Sequence, residues 1–96
     1  MVQEIVWTRK ALCDLKDVFD YIKKDSNYYA SLTTDELLNK VKLLKLSPLL
    51  GKIVPEFNNP DLRELLHKKY RIIYKLESDN IYIVRIYHSS RLLSSI

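Results

Sequence analysis

At 96 residues, with 47% apolar and 29% charged side chains, the chain has the size and composition of a single globular domain spanning 1–96, which excludes a disordered or low-complexity segment. Sixteen Lys and Arg against 12 Asp and Glu give a formal net charge of +4, an excess compatible with a polyanion or an acidic partner that requires neither. The one cysteine, Cys13, excludes an intrachain disulfide and points to the cytosol.

Met1 to Ile5 lacks the basic and apolar regions of a signal peptide, and no apolar run approaches the roughly 18–20 residues of a membrane span. The expectation is a soluble, cytoplasmic protein with no membrane partner.

Val2 to Trp7 is β-branched and aromatic, which predicts a short strand. Thr8 then offers a hydroxyl N-cap to a helix over Thr8–Lys24, with Ala11, Leu12, Leu15, Val18, Phe19 and Ile22 at helical spacing. Cys13 falls in this helix and is expected to be packed. Asp25-Ser26-Asn27 carries turn and cap chemistry, and a second helix is predicted over Tyr28–Leu46 with Ala30, Leu37, Val41 and Leu44 on one stripe. The short break implies an antiparallel helical hairpin laid on something flat.

All three prolines and the one glycine, Gly51, fall within Pro48–Pro60, which reads as an irregular connection of functional length. Three strands are predicted after it, Leu62–Leu66, Lys69–Leu76 and Asn80–His88, the last two joined by a hairpin turn at Glu77-Ser78-Asp79-Asn80. Within the middle strand Tyr70, Ile72 and Tyr74 share one face and Arg71, Ile73 and Lys75 the other. The tail, Ser89–Ile96, is read as a partial helix or an ordered arm. The order β-α-α-β-β-β defines an α+β domain, a helical hairpin on one face of a mainly antiparallel sheet, with the other face open as a working surface.

The second half concentrates groups able to bind a phosphate and move protons. Moving protons around a bound phosphate needs a base, cations that hold the phosphate and an acid. Glu56, Arg71 and His88 could supply these, with Arg63 as a second cation; Arg suits the role because its planar fork grips two phosphate oxygens. The plainer readings stand beside this one. Glu56 in a polar loop can simply be solvated, and Arg63 and Arg71 can be ion-paired with acids such as Glu64 or Glu77. His67, in a turn-like His-Lys-Lys, reads as a solvated neighbour, and the strand tyrosines as core residues with a hydroxyl at the edge. Arg85, Tyr87 and His88 cannot all share a face unless the last strand ends or bulges.

In order along the chain, the Trp-Thr start, the two helices, Gly51-Lys52-Ile53-Val54-Pro55-Glu56, Arg63-Glu64-Leu65, Tyr70-Arg71-Ile72-Ile73-Tyr74 and the closing His88-x-x-Arg91 resemble the RelE/ParE superfamily of type II toxin–antitoxin toxins. The resemblance implies a toxin held inactive by a cognate antitoxin protein, with no metal and no organic cofactor. One branch of that superfamily, RelE and YoeB among it, cleaves messenger RNA on the ribosome; the other, ParE, poisons DNA gyrase. The first reading is therefore a ribosome-dependent endoribonuclease that inhibits translation, with ribosome and mRNA as partners. By resemblance to YoeB-like nucleases, Glu56 is its general base, Arg71 its phosphate clamp and His88 its general acid, and Arg63, Lys52, Tyr87 and Arg91 contact the substrate. The alternatives are a ParE-like gyrase inhibitor without nuclease activity and a degenerate toxin that only binds its antitoxin. Ser89 stands where YoeB-like enzymes carry a tyrosine, and the Arg91 tail resembles ParE chains.

Overall fold

A computed structural model describes residues 4–90. Its elements are β1 (Ile5–Trp7), α1 (Arg9–Lys23), α2 (Asn27–Lys42) with a 3₁₀ turn at Leu43–Lys45, β2 (Lys52–Ile53), β3 (Leu62–His67), β4 (Tyr70–Glu77) and β5 (Asn80–His88). The strands form one sheet in the order β1-β5-β4-β3-β2, with β1 parallel to β5 and every other pair antiparallel. This is the expected α+β arrangement with one strand more than the sequence indicated. Lys52 and Ile53, read as part of an irregular connection, pair with Glu64 and Arg63 at the sheet edge. A two-residue strand is too short a run to show alternation.

Both helix starts use the caps the sequence offers. Thr8 Oγ1 accepts from Ala11 N at 3.2 Å, and Ser26 Oγ accepts from Tyr29 N at 3.1 Å, each satisfying a donor that has no partner within its helix. Thr8 also ties α1 to the sheet: its backbone N donates to Ile83 O at 3.1 Å and its hydroxyl donates to the same oxygen at 2.8 Å.

The core lies between the hairpin and one sheet face. Ala11 of α1, Leu37 and Val41 of α2, and Leu44 of the 3₁₀ turn pack against Leu65, Ile72, Tyr74, Ile81 and Ile83. The stripe expected on α2 is buried as read, with Ala30 also fully covered. On α1 the stripe is narrower than its spacing suggested. Leu15 and Val18 pack on the core, whereas Leu12 is about half exposed and Cys13 is exposed rather than packed. A second, smaller cluster sits on the opposite sheet face, with Val54, Ile73 and Tyr87 buried beside Leu62 and Val84. That face is therefore not bare.

The loop from α2 to β2 is held from below. The fully buried Tyr74 sends its hydroxyl to Pro48 O at 2.7 Å and accepts Gly51 N at 2.9 Å, while Arg63 Nη1 donates to Gly51 O at 3.0 Å. Gly51 is required by crowding: a Cβ there would lie 2.5 Å from Glu64 O and 2.7 Å from the Tyr74 ring.

Candidate functional site

The positions of Arg71, Tyr87 and His88 follow from the β4–β5 register. The hairpin closes as expected, with Ser78 and Asp79 at φ of 52° and 64°, the paired positive values of a two-residue type I′ turn. From there Glu77 faces Asn80 and Tyr74 faces Ile83, but Ile73 faces Arg85, so one residue, Val84, is bulged out of β5. Past the bulge Arg71 stands opposite Tyr87, and Tyr70 opposite His88. In an unbulged hairpin Arg71 would face Ile86 and share its side of the sheet with His88. The single extra residue sends His88 to the other face. The bulge leaves a trace in the sequence: the buried isoleucines run Ile81, Ile83, Ile86, a step of two followed by a step of three.

His88 accordingly lies on the helix side, where its ring meets Tyr70 edge-on at 6.2 Å between centroids. Its Nδ1 accepts Ser90 N at 3.2 Å and lies 2.8 Å from Ser90 Oγ, which places an imidazole proton on Nε2 when the ring is neutral. The expected convergence of Glu56, Arg71 and His88 does not form. Glu56 and Arg71 meet; His88 is across the sheet from them.

Arg71 is the centre of what does form. It is 5% exposed, and Glu64 beside it is 4% exposed. Arg71 Nε and Nη2 donate to Glu64 Oε2 at 3.1 and 2.8 Å, while Nη1 and Nη2 donate to Glu56 Oε2 and Oε1 at 2.8 and 2.9 Å. One guanidinium is thus gripped by two carboxylates, with the Glu56 contact in the two-pronged geometry that makes such pairs strong. The hydrogen bonds that Glu56 accepts hold the Arg71 proton far more tightly than usual, burial opposes this, and Glu64 reinforces it.

Glu56 is delivered by a tight turn in which Val54 O accepts Phe57 N at 3.2 Å and Asn58 N at 2.9 Å, with Asn58 at a φ of 48°. Lys52, Pro55, Leu66 and Ser89 complete the walls of a shallow groove of about 460 Å³ around this triad. With Lys52 included, the groove sets two cations against two carboxylates, so it has no cationic excess.

The remaining candidates divide between the two faces. Arg63 pairs across from Tyr74 on the helix side, and its Nε and Nη1 hold Pro60 O and Gly51 O at 3.0 Å each; it staples a loop and is not a second cation beside Arg71. Tyr87 shares Arg71's face but is buried in the small cluster, with the Arg85 guanidinium 4.7 Å from its ring centroid. Arg91 lies outside the described residues.

Three partnerships were not visible in the sequence. Arg85 Nε and Nη2 grip Asp14 of α1 at 2.7 and 3.1 Å, and Asp14 also accepts Ile86 N at 2.9 Å, covering the edge of β5 where β1 has ended. Asp14 thereby holds the Arg85 proton more firmly than usual. His67, expected to be solvated, is partly buried with Nε2 at 3.1 Å from Glu36 of α2, and Lys68 Nζ reaches the same oxygen at 2.9 Å. The bonds from Lys68 and then His67 pull the Glu36 carboxyl below its ordinary range. Among the described residues no group of three or more His, Cys, Asp or Glu could hold a metal ion, and no helix is long and apolar enough to cross a membrane.

A helical hairpin on one face of a five-stranded mixed sheet, in a basic chain of this length with a charged groove on the opposite face, defines a small α+β protein of the RelE/ParE fold. A sequence model described as the ParE toxin of the type II toxin–antitoxin system, parDE, matches residues 5–93. The chain belongs to that family. Among solved structures it is similar to a chain of the chromosomal ParDE TA system from P. aeruginosa, at 26% identity and a TM-score of 0.75, covering 92% of this chain and 96% of that one. No curated protein matches the sequence.

Proposed function

We propose that this chain is a toxin that acts by binding DNA gyrase, not by cutting RNA, and that a cognate antitoxin protein holds it inactive. The observation that carries the reading is the double carboxylate grip on Arg71. A phosphate approaching that guanidinium meets Glu56 and Glu64, whose like charge repels it, and finds the donors already engaged. Cleavage of RNA would also need an acid on the same side of the sheet, and His88 faces the other way. Glu56, with both oxygens on Arg71, is held as an ion-pair partner and not as a base. Family membership supports the same conclusion, because the ParE branch is the one that resemblance ties to gyrase and not to message cleavage. The ParDE system that the fold resembles supports an antitoxin as the partner.

The test is induction of the chain alone in cells, with RNA 5′ ends and chromosome integrity followed over minutes. Stalled replication and DNA breaks without new ends inside translated messages, all relieved by co-expressed antitoxin, are expected. New ends in translated messages that vanish in His88→Ala would overturn the gyrase reading. Unimpaired growth would leave a chain that only binds its antitoxin.

A further inference from the structure

The charge of this chain is not spread evenly. Between Leu37 and Pro55 there is no Asp or Glu, and the segment carries Lys40, Lys42, Lys45 and Lys52; the other twelve basic residues balance the twelve acidic ones. Three of the four charges in the formal excess therefore sit on the end of α2 and the 3₁₀ turn that follows it, and the fourth, Lys52, lies in β2 beside the sheet-face groove. Among the described residues none of these lysines is in an ion pair.

The same stretch displays leucines to solvent. Leu43, Leu46, Leu49 and Leu50 are 49%, 88%, 64% and 50% exposed. Single exposed leucines need no explanation, but four within eight residues form a patch of the kind that marks an interaction site. The segment is also built to hold its shape. Leu46 N and Ser47 N both return to Leu43 O, and Leu50 N to Ser47 O, in successive turns. Beneath them lie the fully buried Leu44 and the bonds from Tyr74 and Arg63 to Pro48 and Gly51. A rigid display loses little ordering entropy when it binds.

We propose that this lysine-flanked leucine platform, and not the groove on the opposite sheet face, is the docking surface for an acidic, amphipathic segment of the antitoxin. The proposal rests on the toxin–antitoxin reading above. The sheet-face groove sets carboxylates against its cations and has no excess charge to attract such a segment. The platform has both complements: apolar contact from the leucines and uncompensated positive charge around them. A protein segment fits better than an anionic membrane. Residues 37–55 contain no Trp, Tyr or Phe to sit at a lipid interface, and one 3₁₀ turn offers no long amphipathic helix.

The experiment measures the affinity of the purified full chain for its antitoxin by titration calorimetry at low and high salt. It compares the native chain with Leu46→Glu/Leu49→Glu, with Lys42→Ala/Lys45→Ala, and with Leu66→Glu in the sheet-face groove. All four are first checked for native circular dichroism; Leu46 and Leu49 point to solvent, so their substitution leaves the core intact. Loss of affinity of at least about 100-fold in the leucine variant is expected, since buried apolar anchors dominate interfaces. A flattened salt dependence in the lysine variant and less than about threefold change in Leu66→Glu complete the expected pattern. Native-like affinity in the leucine variant, with the native chain binding tightly, would overturn the proposal while leaving the toxin–antitoxin reading intact. Failure of the native chain to bind the antitoxin at all would overturn both. Binding of the native chain to phosphatidylglycerol vesicles, lost in the same leucine variant without change in antitoxin affinity, would assign the platform to a membrane instead.

Discussion

Arg71→Met removes the one cation that two carboxylates share. Glu64 is 4% exposed and cannot recover the lost bonds from water, and the Glu56 side chain, 17% exposed, can do so only in part. Breaking a buried ion pair by deleting one partner typically costs about 3–5 kcal/mol, and the partial solvation of Glu56 favours the lower end, about 3 kcal/mol. For a domain of this size that lowers Tm by about 12–24 °C. Arg71→Lys keeps the charge but cannot present a planar fork to two carboxylates, so an intermediate loss is expected. The penalty in Arg71→Met comes from stranded charge and not from lost volume. Arg71→Met/Glu56→Gln/Glu64→Gln should therefore regain at least half of it. The assay is urea unfolding followed by circular dichroism and by the fluorescence of Trp7, the sole tryptophan. A cost below about 1 kcal/mol for Arg71→Met, or a triple variant no better than the single, would refute the assignment of Arg71 to a closed structural clamp.

Gly51→Ala forces a methyl group against Glu64 O and the Tyr74 ring, and should destabilise by about 1–3 kcal/mol in the same assay. Tyr74→Phe leaves Gly51 N–H and Pro48 O without their partner and should cost about 1–3 kcal/mol, with faster amide hydrogen exchange at Gly51 by NMR. Asp79→Gly in the hairpin turn relieves a positive φ and should raise stability by about 1 kcal/mol; a loss would show that Asp79 has a role beyond the turn. The Glu36 carboxyl, held below its ordinary 4.5 by Lys68 and His67, gives stability that is present above that value and lost as pH falls through its lowered folded pKa. Urea midpoints between pH 6 and 3 should therefore fall less steeply in Glu36→Gln than in the native chain, and parallel slopes would contradict the pairing of Glu36 with Lys68 and His67.

The helices, the hairpin turn and the order of elements were legible because each has a strong local signature. Thr8 and Ser26 announce their helices, the α2 stripe is buried residue by residue, and Ser78-Asp79 closes the turn where the charge-rich break predicts. What escaped the sequence was set by tertiary context. β2 is two residues long and exists only because Arg63 and Glu64 lie alongside. Leu12 and Cys13 are exposed because α1 rests on the sheet through a narrower strip than its apolar spacing covers. Glu56, Arg71 and His88 do not converge for one reason above all. Glu56, Arg71 and His88 form a chemically coherent set, but whether strand side chains meet depends on parity, and one bulged residue reverses it. Arg71 held by Glu64 is an open alternative in the sequence; the second grip, from Glu56, depends on where the turn closed at Asn58 sits against the sheet, which is set by tertiary packing. Arg63, two residues before Leu65, followed the same parity to the helix face and serves the Gly51 loop.

The most direct test of the central claim is a supercoiling assay with purified gyrase, relaxed plasmid and increasing amounts of the chain, with and without antitoxin. The account predicts inhibition with accumulation of cleaved DNA, reversed by antitoxin and unchanged by His88→Ala. Undisturbed supercoiling at saturating toxin, together with message cleavage in a translating extract, would contradict it.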